Sequence, residues 1–316
     1  MIGRLNQAAT PEASQAAALV GAGADRPGTS VRAVVWNVLN GGLDGDSAER
    51  LFGQAEVLTS LRPDILCLPE CFRWEETYHR RLWWMARRLD MEPVAMLRSR
   101  LGRKPVQNHT ALLYRPSRFR VLGWERRAEE MFHHALIRAV LRPADAVDDR
   151  DDVLVLGTHQ SWTDGDTRLA EARWMTDFAG EFPGVPPRGL LLGDLNIPDR
   201  EPESWDLVPK NLHSRYRLVL PDGAFGGVDQ RALQVLLSSG WQDPQDLTGV
   251  KRAATVGYWY ANEPVAWCLD YALVHGLHVR TYYTYDTPRA RTLSDHLPVV
   301  LDAFWPRQTS ASKEAA

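Results

Sequence analysis

Three consecutive leucines, Leu190 to Leu192, run into Gly193-Asp194-Leu195-Asn196. An apolar run bounded by glycine reads as a buried strand that finishes at Gly193. That leaves Asp194 and Asn196 on the loop beyond it, where binding and catalytic groups are usually presented. The same arrangement, an apolar strand that ends in a polar residue, recurs along the chain. Residues 31–35 deliver Trp36, Asn37 and a turn at Asn40-Gly41-Gly42; residues 65–68 end in Pro69-Glu70; residues 153–156 end in Gly157-Thr158-His159. A strand over 267–274 carries Asp270 in its middle, and a last strand over 297–304 is entered through Ser294-Asp295-His296.

Between these runs the periodicity predicts helices. Ser47 is placed to cap one in which Leu51, Ala55, Leu58 and Leu61 share a face and Pro63 marks the stop. A second, over 75–90, sets Tyr78, Leu82, Met85 and Leu89 against a solvated arginine face of Arg80, Arg81, Arg87 and Arg88. Further helices are expected over 166–182 and 229–239. Strands at 93–97, 109–114, 118–122 and 135–141, separated by turn signals, suggest an antiparallel portion of sheet. The aspartates of 145–152 lack the glycine and terminal glutamate of a calcium loop and read as a solvated hairpin turn. Residues 197–225 form a long connection of the kind that often borders a binding site.

The chain has 316 residues and 44% hydrophobic content, enough for one large domain or two ordinary ones. We expect a tail over 1–30, a folded domain over 31–306 and a short polar tail over 307–316. With Lys+Arg 37 against Asp+Glu 40, the net charge of -3 provides no global field for nucleic acid or anionic lipid, so any basic groove must be local. Cys67, Cys71 and Cys268 form no CxxC pair and read as reduced core thiols in a cytosolic setting. No stretch approaches the roughly 20 apolar residues of a membrane span. Residues 16–24 imitate a signal peptide, but Arg4 is the only basic residue before them and Glu12 interrupts the approach. A disordered tail and a cytoplasmic location are therefore the expectation, with secretion the minority alternative. Nothing in the sequence marks an oligomeric state.

Each polar strand end has a plain explanation by itself, as a turn, a cap or a satisfied pair. Together, Asn37, Glu70, His159, Asp194, Asn196, Asp270, Asp295 and His296 are what a convergent polar pocket requires. Carboxylate and amide oxygens without thiolates suit Mg2+ or Mn2+ better than zinc. Such an ion neutralises charge on a phosphoryl group, an adjacent aspartate can activate water, and a histidine held by a buried aspartate can stabilise the transition state.

The motifs Trp36-Asn37, Pro69-Glu70, Thr158-His159, Gly193-Asp194-Leu195-Asn196, Leu269-Asp270-Tyr271 and Ser294-Asp295-His296-Leu297-Pro298 follow one another in an order that resembles the endonuclease/exonuclease/phosphatase superfamily. That group includes deoxyribonuclease I, exonuclease III, neutral sphingomyelinases and inositol polyphosphate 5-phosphatases. The resemblance implies a four-layered α/β sandwich of two mixed sheets flanked by helices, and a divalent-metal-dependent phosphoesterase. It also implies roles: Glu70 on the metal with Asn37 beside it, Asp295 at or near the metal, Asp194 activating the nucleophilic water, Asn196 positioning that water or the phosphate, His159 on the phosphate oxygens, and His296, paired to Asp270, stabilising the transition state. The substrate expected is a phosphodiester, with nucleic acid or a nucleotide-like ester as the leading class. Hydrolysis of a small phosphomonoester is the alternative, and a non-catalytic binding module a more distant one.

Two departures narrow the reading. The abasic-site branch of the family has an aspartate two residues after the motif asparagine and a tyrosine at the position of His159; here Leu39 occupies the first. The 197–225 insert mixes Arg and Lys with Asp and Glu, so it does not indicate DNA. Asn108 and Arg115 flank an apolar strand that family members use near the phosphate, and are candidate substrate-binding residues. Tyr258, Trp259 and Tyr260 could stack on a base, although packing is the simpler role. His133-His134 is discounted as a metal pair, because neighbours on a strand point to opposite faces.

Overall fold

A computed structural model describes residues 28–100, 107–180 and 182–306. In chain order the strands and helices are β1 (Gly28–Val35), α1 (Glu49–Leu61), β2 (Ile65–Leu68), α2 (Glu76–Arg88), β3 (Glu92–Arg98), β4 (His109–Tyr114), β5 (Phe119–Arg126), β6 (Ala135–Pro143), β7 (Val153–His159) and α3 (Gly165–Arg173). They continue with β8 (Gly189–Asp194), α4 (His213–Tyr216), β9 (Arg217–Val219), β10 (Phe225–Val228), α5 (Arg231–Ser238), α6 (Pro244–Thr248), β11 (Asp270–His275), β12 (His278–Thr284) and β13 (Val299–Pro306). Six strands form one sheet in the order β12-β13-β1-β2-β4-β3, and five form another in the order β11-β8-β7-β6-β5. The short β9–β10 pair lies within the long connection.

Alternation along the strands makes the layers. Val31, Ala33 and Val35 of β1 join Ile137, Ala139, Leu190 and Leu192 of the other sheet in the core between the sheets. Val34 and Leu66, pointing the other way, pack on Leu51, Leu58, Leu82 and Met85 of α1 and α2. Leu154, Leu156 and Leu191 pack on Ala172 of α3 and on Leu233 and Leu236 of α5. The architecture is therefore helix, sheet, sheet, helix, the four-layered sandwich expected.

Several local expectations change. The 28–30 segment, placed in the tail, extends β1 by pairing with β13 as far as Gly28 and Pro306. The rest of both tails lies outside the described residues. Asp194 is the last residue of β8 rather than the first of the loop, and Asp270 opens β11 rather than sitting within it. The helix expected over 166–182 stops at Arg173 and is followed by a single tight turn. Tyr78 is 94% exposed instead of joining the buried face, because Thr77, Tyr78 and His79 have left-handed backbone at the start of α2. β12 escapes prediction because an edge strand with the sequence HVRTYYT buries too few side chains to leave an alternating pattern. The three cysteines are buried free thiols. Among the described residues no helix is long and apolar enough to cross a membrane.

Candidate active site

Register brings the polar residues to one end of the sandwich. β7 and β8 are parallel and end together, with His159 opposite Asp194. β11 runs antiparallel to β8 and begins there, with Asp270 opposite Asp194. β1 and β2 are parallel neighbours that end at the same edge and lead into Asn37 and Glu70, while β13 begins beside the end of β1, just after Ser294-Asp295-His296. Gly193 is what permits the β7–β8 contact, since a Cβ there would lie 2.2 Å from the Thr158 carbonyl oxygen.

Asn37 is the hub. Its Nδ2 donates to Glu70 Oε1 (3.1 Å) and to Asp194 Oδ2 (3.0 Å), and its Oδ1 accepts from the Leu39 amide (3.1 Å). The Ser294 hydroxyl donates to the Asn37 carbonyl oxygen (2.7 Å), and this ties the Ser294-Asp295-His296 turn to the end of β1. The Asn40 amide donates to the second oxygen of Glu70 (3.2 Å). Leu39, Asn40, Glu70 and Asn196 all have positive φ. Left-handed backbone at four non-glycine residues around one site is stored strain, held by the hydrogen bonds just described.

Asp194 lies at the centre, 1% exposed. Its Oδ1 accepts the Asn196 amide (2.9 Å), and Asn196 Nδ2 donates to the Gln160 carbonyl oxygen (3.1 Å). The Nε2 atoms of His159 and His296 are 3.6 and 3.8 Å from Asp194 Oδ2. His296 Nδ1 donates to Asp270 Oδ2 (2.8 Å), and Asp270 is fully buried. Burial, and then the charge of Asp270 across the ladder, push the Asp194 carboxyl up to about 7. Burial works against charge on His296, but Asp270 and Asp194 outweigh it and hold the imidazole well above its ordinary value. His159 is driven the other way by burial and by its neighbour His134 and stays neutral.

Glu70 and Asp295 are only half-buried, on the cleft side. Burial raises the Glu70 carboxyl, and the negative charge of Asp295 raises it further. Among the described residues no Lys or Arg forms an ion pair with either. Two carboxylates that repel each other at a water-accessible edge offer hard oxygen ligands and fit a hard divalent cation. Asp194, Asp270 and His296 also lie within 4.8 Å of one another. They suit a cation less well, because the facing atoms of His296 and Asp270 already share a proton and all three residues are buried.

Glu70, His159, Asp194, Asn196, Asp295 and His296 form the floor of a cleft of about 450 Å³, with Asn37 and Asp270 behind it. Its wall comes from the long connection and from the segment before β11, with Arg215, Tyr216, Trp259, Tyr260 and Trp267 among its members, and Trp162 joins it from the loop after β7. Tyr258 anchors the second of these by donating to the Ser294 carbonyl oxygen (2.6 Å).

Of the residues singled out in the sequence, Asn37, Glu70, His159, Asp194, Asn196, Asp270, Asp295 and His296 come together. Asn108 precedes β4 at the same end of the sandwich but does not line the cleft. Arg115 does not join the site. β4 is antiparallel to β2, so its far end lies beside the start of β2, and Arg115 Nη2 donates there to the Pro63 carbonyl oxygen (2.9 Å). His133 and His134 precede β6 rather than lying in a strand, and their rings stack instead of diverging, at 5.0 Å; His134 stacks in turn on His159 at 3.8 Å. Ser294 was legible as part of its motif but not as the brace of Asn37. Arg215, in the mixed-charge insert, left no signal at all.

A family model for the endonuclease/exonuclease/phosphatase family matches residues 34–296. The chain belongs to the endonuclease/exonuclease/phosphatase family. Members of this family are phosphoester hydrolases. No curated protein matches the chain in sequence. Among solved structures, a family protein from Bacteroides thetaiotaomicron has 17% identity and a TM-score of 0.59, covering 89% of this chain and 100% of its own. ANGEL2, described as a 2',3'-cyclic phosphatase, has 14% identity and a TM-score of 0.58, with 88% and 95% covered. D. rerio TDP2, in complex with a single-strand DNA product, has 14% identity and a TM-score of 0.59, with 87% and 99% covered. At such identities the likeness speaks for the fold.

Proposed function

We propose that this family member is a divalent-cation-dependent phosphodiesterase that hydrolyses a P–O bond by direct attack of water, with a nucleic-acid or nucleotide-like ester as its substrate class. The observation that carries the reading is the setting of Asp194. It is a buried carboxylate raised toward neutrality, fixed by Asn37 and the Asn196 amide, with two imidazoles within 4 Å and a cleft above. A general base works best with a pKa near the operating pH and with its orientation already set.

Glu70 and Asp295 would hold Mg2+ or Mn2+, with Asn37 beside them fixing the Glu70 carboxylate. The ion would supply charge neutralisation at the phosphoryl oxygens and orient the ester. Asp194 takes the proton of the attacking water, and Asn196 positions that water or a phosphate oxygen. The ester P–O bond opposite that water breaks, and its oxygen departs as an alcohol after taking a proton from solvent. His159, neutral, donates a hydrogen bond to a phosphate oxygen. His296, kept protonated by Asp270, stabilises the negative charge that builds up on the phosphoryl oxygens as water adds.

The test is hydrolysis of bis(p-nitrophenyl) phosphate and p-nitrophenyl phosphate with Mg2+ or Mn2+ and with EDTA, for the wild type, Asp194→Ala and His296→Ala. We expect metal-dependent cleavage of the diester that both substitutions abolish. Turnover that survives Asp194→Ala would sink the mechanism, and a preference for the monoester would turn the reading to a phosphatase.

A further inference from the structure

The wall of the cleft has more aromatic surface than packing needs. Trp267 packs at a tilt against Tyr216, with ring centres 4.9 Å apart, and belongs with Val208, Leu212 and Leu269 to a small hydrophobic cluster of its own, which fixes the wall. Trp162 and Tyr260, by contrast, line the cleft and remain 42% and 44% exposed. Neither is loose. Trp162 lies 6.2 Å from the His133 ring and has the Arg215 guanidinium 4.7 Å from its ring centre. The Tyr260 hydroxyl faces the Asp295 carboxylate, so its ring stands beside the acidic floor. Rigid, half-exposed π-faces next to a phosphate-sized polar floor are what a stacked base requires, and stacking of this kind tolerates any base.

Charge and size decide between a single nucleoside and a long strand. Arg215 is the only Arg or Lys among the described residues lining the cleft, and Glu263 lies on the same lining. A track for a duplex or an extended strand needs a series of cations, one per phosphate held. A cleft of about 450 Å³ falls instead in the range of small-molecule sites, ~300–1,000 Å³.

We propose that the wall is a nucleoside subsite: the substrate is a phosphodiester that enters end-on, with one base stacked among Trp162, Arg215 and Tyr260 and its phosphate over Asp194. This rests on the hydrolase reading above. Two esters with the same leaving group separate the two claims, thymidine 5'-(p-nitrophenyl phosphate) and methyl p-nitrophenyl phosphate. In the wild type kcat/KM for the nucleoside ester should exceed that for the methyl ester by about tenfold or more, a factor typical of one stacked base. Trp162→Ala and Arg215→Ala should collapse that ratio through KM, while Trp162→Phe, which keeps a ring, should retain most of it and control for folding. A wild-type ratio near one, or a ratio unchanged in both alanine variants, overturns the subsite while leaving the hydrolase intact. If neither ester turns over with Mg2+ or Mn2+, the hydrolase reading fails, and calorimetry with thymidine 5'-monophosphate decides the subsite. Binding weakened about tenfold by Trp162→Ala upholds it, and no binding to the wild type overturns it.

Discussion

The two ends of the sandwich use polar residues in opposite ways. At the end away from the cleft, charges are spent on partners. Arg115 holds the Pro63 carbonyl, Arg118 donates to the Ser30 carbonyl oxygen (2.8 Å), and Arg142 meets Asp152 at 2.8 Å. At the cleft end Glu70, Asp194, Asp270 and Asp295 converge, and no Arg or Lys among the described residues forms an ion pair with their carboxylates; the buried Arg252 reaches only the Asp270 carbonyl oxygen (2.7 Å). Asp194 and Asp270 face each other across a ladder, and burial makes their repulsion worse. Polar groups at the far end are satisfied in place, whereas those to which the proposed mechanism assigns chemistry are held by geometry at a cost in stability.

The sharpest way to break this comparison is Asp194→Asn. We expect kcat to fall by about 10²–10⁴-fold, as for a general base, while the melting temperature rises by about 2–4 °C because a buried like-charge contact is removed. Loss of both activity and stability would mean that Asp194 is a structural residue like those at the far end.

Glu171 provides a pH test within the site end. It is fully buried, its oxygens accept the amides of His133 (2.7 Å) and Ser161 (2.8 Å), and burial raises its carboxyl from an ordinary 4.5 to about 7. A carboxyl raised on folding favours the native state below pH 4.5, and that advantage is lost as pH rises through 7. The full swing is about 3 kcal/mol, at ~1.4 kcal/mol per pH unit. Chemical denaturation at pH 4.5 and pH 8 should show this decline in the wild type, and Glu171→Gln should flatten it. An equal slope in the variant would place the titration elsewhere.

Gly193→Ala tests the register that joins the two histidine- and aspartate-bearing strands. The added methyl meets the Thr158 carbonyl oxygen, so we expect a loss of about 2–3 kcal/mol with a further loss of kcat as His159 and Asp194 move apart. The smallest effect belongs to the far end. Arg115→Ala should cost about 1–2 kcal/mol in urea denaturation and leave diester turnover unchanged. A specific rise in KM would return Arg115 to the substrate.

What the sequence determined by itself was the set of strand-end residues and the class of fold. Buried strands leave apolar runs, and the polar residues that follow them stand out, as Asn37, Glu70, His159 and Asp194 do. It could not tell which end of the sandwich each residue reaches, because that depends on strand direction. Arg115 follows β4 as closely as Glu70 follows β2, and only the antiparallel pairing separates them. Nor could it foresee that Ser294 braces Asn37, a contact across 257 residues, or that Trp162 and Arg215 meet. Local periodicity records which face a side chain buries; which distant side chain it meets is set by register and by the packing of loops, and only the tertiary structure decided that.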